Sequence, residues 1–319
     1  MSSLLPIVGA VQNYAWGKYG SKSAVAQFAH SNDPSVSVDE SEPYAELWMG
    51  THAKAPSTLK DNRKKLLSEI IASDPSKYLG QDVLSQYPTT KGGLPFLFKV
   101  LSINKVLSIQ AHPDKLLGAK LHAVDPSHYP DSNHKPEMAV AITDFEAFCG
   151  FKPLAEIDVL LQKVPEFYKL VGAEVAQKFH DKISSASKEE GRMLLQSVFG
   201  KIMTASPETV ANYANEMVAR AKSQPELFGS VLADLIQRLN NQFPDDVGLF
   251  CGCLMLNHCF LKPGEAMFLH AKEPHAYISG NIMECMATSD NVIRAGFTPK
   301  FKDVDTCLLY TSDAADDTP

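Results

Sequence analysis

The segment Val106-Leu107-Ser108-Ile109-Gln110-Ala111-His112 decides how the rest of this 319-residue chain is read. Taken as a strand, its period of two puts Ser108, Gln110 and His112 on one face and Leu107, Ile109 and Ala111 on the other. The apolar face packs into a core. The polar face must border a cavity, because an unpartnered polar side chain in a dry interior costs ~1–3 kcal/mol. A second segment, His134-Lys135-Pro136-Glu137, runs into the apolar residues 138–142, a further strand on which Glu137, Ala139 and Ala141 share a face. Two small side chains beside a carboxylate leave room for a ligand. Far downstream, Lys272-Glu273-Pro274-His275-Ala276-Tyr277 supplies a second histidine. The amide of Gln110, the carboxylate of Glu137 and the imidazoles of His112 and His275 form a set that suits zinc, with a position left open to water or substrate. Glutamine is an uncommon zinc ligand, and a histidine beside a proline also serves as a satisfied structural hydrogen-bonder. Residue types alone leave both uses open.

Composition narrows the function class. The chain is 45% apolar and 21% charged, as in ordinary globular proteins, and its length allows two domains with a full core. A net charge of −7 argues against nucleic acid or an anionic membrane as the main partner, so an anionic substrate needs a local cluster of Arg and Lys. Six cysteines are too sparse for a secreted disulfide scaffold, and with no signal-peptide pattern or long apolar run the expected location is the cytosol. Cys251-Gly252-Cys253 with His258-Cys259 could hold a second metal. Its setting among Leu249, Phe250, Leu254 and Leu256 favours core packing in an apolar strand.

The hydrophobic period changes twice along the chain. Up to Pro95, short apolar runs broken by Gly, Pro and Ser read as strands and loops, with one helix expected over 63–71. Residues 96–103 and 106–112 read as a hairpin turning at Asn104-Lys105, which sets Lys99 across from the ligand strand. Lys99 is then either a substrate contact inside the cavity or an edge lysine reaching water. After Pro153 the period becomes 3.6: Leu154, Ile157, Leu160, Leu161 and Val164 form one stripe, and Leu194, Leu195, Val198, Phe199 and Ile202 another. Ser206-Pro207 is a helix start, and Phe228, Val231, Leu232, Leu235, Ile236 and Leu239 form the clearest stripe. Strands are expected again over 248–260, 266–270 and 282–287. Regular short strands with such turns point to a jelly roll. The expected organisation is a β portion over 1–153, an all-helical insertion over 154–243, a second β portion over 244–306, and an unstructured or artefactual tail over 307–319.

Several strings together resemble the signature segments of type I mannose-6-phosphate isomerases, members of the cupin superfamily. They are Asn13-Tyr14-Ala15-Trp16-Gly17, residues 46–52 (ELWMGTH), residues 108–115 (SIQAHPDK), His134-Lys135-Pro136-Glu137-Met138, residues 273–280 (EPHAYISG) and residues 289–296 (SDNVIRAG). The resemblance covers about 6–305. It implies a cupin-like jelly roll with an inserted helical domain, and Gln110, His112, Glu137 and His275 match the family's ligands for one zinc per chain. Family members continue into another β-rich domain where this chain departs after about Thr306. A truncated, catalytically impaired or merely sugar-phosphate-binding homologue is therefore the alternative expectation, and a cupin-like hydrolase or oxygenase a further one.

The activity the resemblance implies is interconversion of mannose 6-phosphate and fructose 6-phosphate through an enediol, feeding GDP-mannose synthesis, in a monomer. Such chemistry needs a group that stabilises a developing oxyanion and a group that carries a proton. Arg294 is the candidate electrophile because its planar fork holds two oxygens at once, and an ion pair with Asp290 is its structural alternative. Glu284 and Asp290 form the acid/base pool. Lys99, Ser108, Lys135, Tyr277, Lys300 and Trp16 are the candidate substrate contacts, with surface solvation as the alternative for Lys300 and core packing for Trp16.

Overall fold

The computed structural model describes residues 4–88 and 93–310. Ten strands form one antiparallel network: β1 (Ala10–Gln12), β2 (Glu46–Met49), β3 (Phe96–Ile103), β4 (Ile109–Ala111), β5 (Glu137–Ala141), β6 (Phe145–Phe151), β7 (Leu256–Leu261), β8 (Ala266–Leu269), β9 (His275–Ala287) and β10 (Ile293–Gly296). Six of them run in the order β7-β6-β9-β3-β2-β1. The other four branch from β9, β5 and β8 on one side, β4 and β10 on the other.

The 13-residue β9 joins the two layers. Its first half pairs with β6 and β4, and its second half with β3 and β5. The changeover falls at Gly280, whose φ of +119° is open to glycine, and where a Cβ would lie 2.6 Å from the Asp144 carbonyl oxygen. The architecture is a cupin-like jelly roll with inserted helices.

Those helices start after Pro153 and include Leu154–Lys163, Pro165–Val171, Ala173–Ile183, Lys188–Met203, Pro207–Ser223 and Ser230–Gln242. Ser187 and Ser206 cap two of them, Ser206 Oγ accepting from the Thr209 amide at 3.1 Å with Pro207 in the first turn. The helices have no core apart from the sheet. Ile157, Phe167, Phe199, Leu235 and Ile236 join Ile109, Phe148, Phe151 and Ile278 in one buried apolar cluster.

Several local expectations are corrected. Residues 96–103 and 106–112 do not form a hairpin: β3 lies between β2 and β9, while β4 pairs with β9 and β10. The amides of Asn104 and Lys105 both donate to the Trp16 carbonyl, at 3.0 and 3.1 Å, so the chain passes to the other layer instead of reversing. The early helix spans Leu67–Ser73. Residues 248–251 form a helical turn, and the strand begins only at Leu256. Phe228 precedes its helix, which starts beyond Gly229 at φ +78°, and Val231 is exposed. Cys251 and Cys253 are buried free thiols whose pKa values burial raises, that of Cys253 to about 12, as core cysteines require. The tail is not unstructured from 307: Val304–Tyr310 is a helix, Cys307 is buried, and the Leu308 carbonyl accepts from Gln196 at 3.0 Å. Residues 311–319 of the expected tail lie outside the described residues.

Candidate metal and substrate site

Three strands place the central row of the site. His275 of β9 pairs with Gln110 of β4, which pairs with Arg294 of β10, so the three side chains share a face and stand side by side. Glu137, at the start of β5, and His112, just beyond β4, complete the group. One ligand atom from each of His112, Glu137 and His275 lies within 4.8 Å of the others, and all three residues are buried. His112 Nε2 is 3.3 Å from Glu137 Oε1, and His275 Nε2 is 3.5 Å from Oε2.

These contacts are not hydrogen bonds. His112 Nδ1 lies 3.1 Å from the Asn291 carbonyl and His275 Nδ1 2.9 Å from the Glu273 carbonyl. A carbonyl only accepts, so each Nδ1 carries the proton and each neutral Nε2 turns a lone pair toward a carboxylate. Burial, with Lys135 nearby, lowers the His112 pKa to about 4 and keeps the ring neutral at pH 7. Burial opposes ionisation of Glu137, yet the Lys135 ammonium at 3.1 Å holds its pKa well below the usual carboxyl range. His112 Nε2, His275 Nε2 and Glu137 Oε2 are thus buried and unpartnered. Facing lone pairs repel unless a cation lies between them, so the donor set fits a divalent metal. Gln110, with no hydrogen bond of its own among the described residues, flanks them through its pairing with His275.

A cavity of about 440 Å³ opens beside this row. Trp16, Ser108, Gln110, Arg294 and Lys300 all line it, and so does Lys105, which the sequence reading missed. It has three cationic side chains and no carboxylate in its lining. Arg294 has no ion pair or hydrogen bond to the protein among the described residues, and burial lowers its pKa. The alternative Arg294–Asp290 pair does not form. Asp290 instead holds Lys54 at 2.6 Å and His52 at 3.6 Å, and the His52 contact, ahead of Lys54, depresses its pKa.

Lys99, Glu284 and Tyr277 sit in a buried network next to the candidate metal ligands rather than on the cavity wall. In-register pairing sets Trp48, Lys99, Glu284 and Ala139 in one row across β2, β3, β9 and β5. Lys99 Nζ lies 3.2 Å from Glu284 and 3.7 Å from Glu46, and the Tyr277 hydroxyl donates to Glu284 at 2.9 Å. Burial first, then the Glu137 charge, raises the Glu284 pKa above the usual carboxyl value.

Asp131 was also missed. It accepts from the Ser289 hydroxyl and the Asp290 amide, at 2.9 and 2.8 Å, and its carbonyl accepts from Asn291. It thereby fixes the loop whose Asn291 carbonyl orients His112. No pattern in the residues 129–133 marks this role, because the partners lie about 160 positions away.

Residues 4–154 match the phosphomannose isomerase type I catalytic domain, and residues 170–256 match its helical insertion domain. The mannose-6-phosphate isomerase of Ogataea parapolymorpha is 62% identical over 312 residues, covering 97% of this chain and 73% of that protein. The chain belongs to the type I phosphomannose isomerase family. The family enzyme of Saccharomyces cerevisiae is 57% identical over 98% of this chain and 75% of its own length. Among solved structures, a mannose 6-phosphate isomerase bound with zinc and yttrium superposes with a TM-score of 0.78 at 32% identity, over 97% of this chain and 74% of that one. The apo form from Salmonella typhimurium gives 0.77 at 34% identity, with the same coverage. Among the described residues, no helix is long and apolar enough to cross a membrane.

Proposed function

We propose that this chain is a zinc-dependent isomerase interconverting mannose 6-phosphate and fructose 6-phosphate through an enediol. The observation that carries this reading is the buried, unpartnered trio His112 Nε2, His275 Nε2 and Glu137 Oε2, beside a cavity lined by cations. Gln110, His112, Glu137 and His275 are the proposed ligands of one zinc, which when bound supplies Lewis-acid stabilisation of charge on the sugar oxygens. Arg294, free of protein partners among the described residues, aims its fork at those oxygens, while Lys300, Lys105 and Ser108 meet the phosphate and Trp16 bounds the sugar. Lys135 keeps Glu137 ionised.

The isomerisation moves one proton between C2 and C1, and we assign its carriage to Glu284. Its raised pKa makes that carboxylate a stronger base than an ordinary one, and Tyr277 and Lys99 hold it in place. Asp290 shares the expected pool but is committed to Lys54 and His52, which makes it a weak base. The same reading makes the protein a cytosolic monomer with residues 154–243 as an inserted helical unit, supported by six free cysteines and by the run of helices after Pro153. The deciding experiment couples metal analysis to an isomerase assay. Purified chain should carry zinc, lose turnover on chelation and regain it on zinc addition, whereas Glu137→Ala should carry little zinc; wild-type zinc content in that variant refutes the ligand set.

A further inference from the structure

We infer that Gln242, at the end of the helical insertion, is a substrate-positioning residue that donates a hydrogen bond to the anionic group of the substrate. The inference rests on the sugar-phosphate reading above and adds a donor that comes from outside the jelly roll. Its basis is the turn between β3 and β4. Four successive amides there are satisfied: those of Asn104 and Lys105 by the Trp16 carbonyl, that of Leu107 by the Tyr277 carbonyl at 2.9 Å, and that of Val106 by Gln242 Oε1 at 2.7 Å. Val106 alone depends on a side chain, and that side chain arrives from 136 positions away.

The contact also fixes which way the amide faces. A backbone N–H can only donate, so the carboxamide oxygen must sit at Val106 and Nε2 on the opposite side. Nε2 has no protein partner among the described residues, and Gln242 is a partly buried lining residue of the 440 Å³ cavity. The polar lining there includes Lys105, Ser108, Arg294 and Lys300 and contains no carboxylate. An N–H pair held among cations and a hydroxyl serves an oxyanion.

The placement is rigid. One turn earlier on the same helix, Arg238 binds Glu146 of β6 through two contacts at 2.6 and 3.2 Å. Just after the helix, Asp246 Oδ1 accepts from the Phe297 amide at 2.7 Å, and Phe297, three residues after Arg294, lines the same cavity. The exit of the insertion is therefore tied to the sheet at β6 and to the cavity-lining segment that follows Arg294, and Gln242 is the part of it that offers a donor.

Gln242→Glu separates the donor from the brace, since a carboxylate can still accept from Val106 but offers the cavity a negative charge. The KM for mannose 6-phosphate and the inhibition constant of inorganic phosphate should both rise about tenfold or more, as expected for a lost hydrogen bond to a charged group. Turnover should stay within about threefold and zinc content should not change, because uniform binding is what is lost. Gln242→Met, which removes both functions without adding charge, should raise KM and the phosphate constant by a smaller, parallel factor. A brace that faces away from the substrate predicts the reverse order, with the Glu variant like wild type and the Met variant impaired, and a lining residue that does not donate predicts raised constants in the Glu variant alone, from its charge. If both constants are unchanged in either variant, the inference is overturned. Wild-type chain that neither isomerises nor binds the sugar phosphate would instead overturn the functional reading, and this inference with it.

Discussion

Replacing Lys99 by methionine would remove the cation that two buried carboxylates share. Lys99 is 8% exposed, Glu284 3% and Glu46 7%, so water cannot take its place. At an effective permittivity of ~20, contacts of 3.2 and 3.7 Å are worth ~5 and ~4.5 kcal/mol before desolvation. Desolvating the three groups consumes much of that, and breaking such a buried arrangement by removing one partner costs ~3–5 kcal/mol net. Glu46 keeps the Trp48 indole as a donor, whereas among the described residues Glu284 keeps only the Tyr277 hydroxyl, so the loss falls mainly on Glu284. The assay is urea unfolding at fixed metal loading for wild type, Lys99→Met, Glu284→Gln and the double variant. The double variant should be more stable than Lys99→Met, because it no longer buries an unpaired charge. The loss should also depend on pH. Without Lys99 the Glu284 carboxyl rises further above 4.5, so the folded state holds a proton that the unfolded state releases, and stability falls as pH rises above that value. The deficit is thus smaller at pH 5 than at pH 8. A loss below about 1 kcal/mol, or additive single and double variants, would show that Lys99 is not the keystone of this network.

Three further outcomes are expected. Arg294→Lys should restore little of the turnover lost in Arg294→Ala, which falls on the order of a hundredfold with zinc retained; steady-state kinetics giving normal turnover with only a raised KM would make Arg294 a ground-state phosphate clamp. Glu146 is held down to about 2 despite burial by His258 and Arg238, so its stabilisation is complete above about pH 4.5 and is lost as pH falls toward 2. Denaturation curves of wild type and Glu146→Gln should therefore converge over that window, and a constant gap would exclude the ion cluster as its source. Asp131→Ala should loosen the loop that orients His112 and weaken zinc binding by about tenfold to a hundredfold, read by competition with a chromogenic chelator; unchanged affinity would mean that the Asn291 carbonyl holds its place unaided.

How far the residues alone lead differs from place to place. Ser108, Gln110 and His112 could be assigned to one polar face, and Glu137 to a face with Ala139 and Ala141, because side-chain alternation in a strand is local geometry. The helices after Pro153 were equally legible from their 3.6-residue period and from Ser206-Pro207. The partnership of the strands was not. Residues 96–103 and 106–112 have the composition of a hairpin, yet the amides of Asn104 and Lys105 find the Trp16 carbonyl about 90 positions away and send the chain across to another layer. Likewise Asp290 lies four residues before Arg294, but Lys54 reaches it over 236 positions.

The sequence by itself determined which chemistry this protein can perform, since ligand types, strand faces and helix starts are properties of neighbouring residues. Only the tertiary structure decided which groups share charge and which stand free. Whether Arg294 is paired, whether Glu284 is raised, and whether Gln242 faces a substrate all depend on burial and on distances of a few ångströms between distant segments, where the Coulomb and desolvation energies that govern them become large.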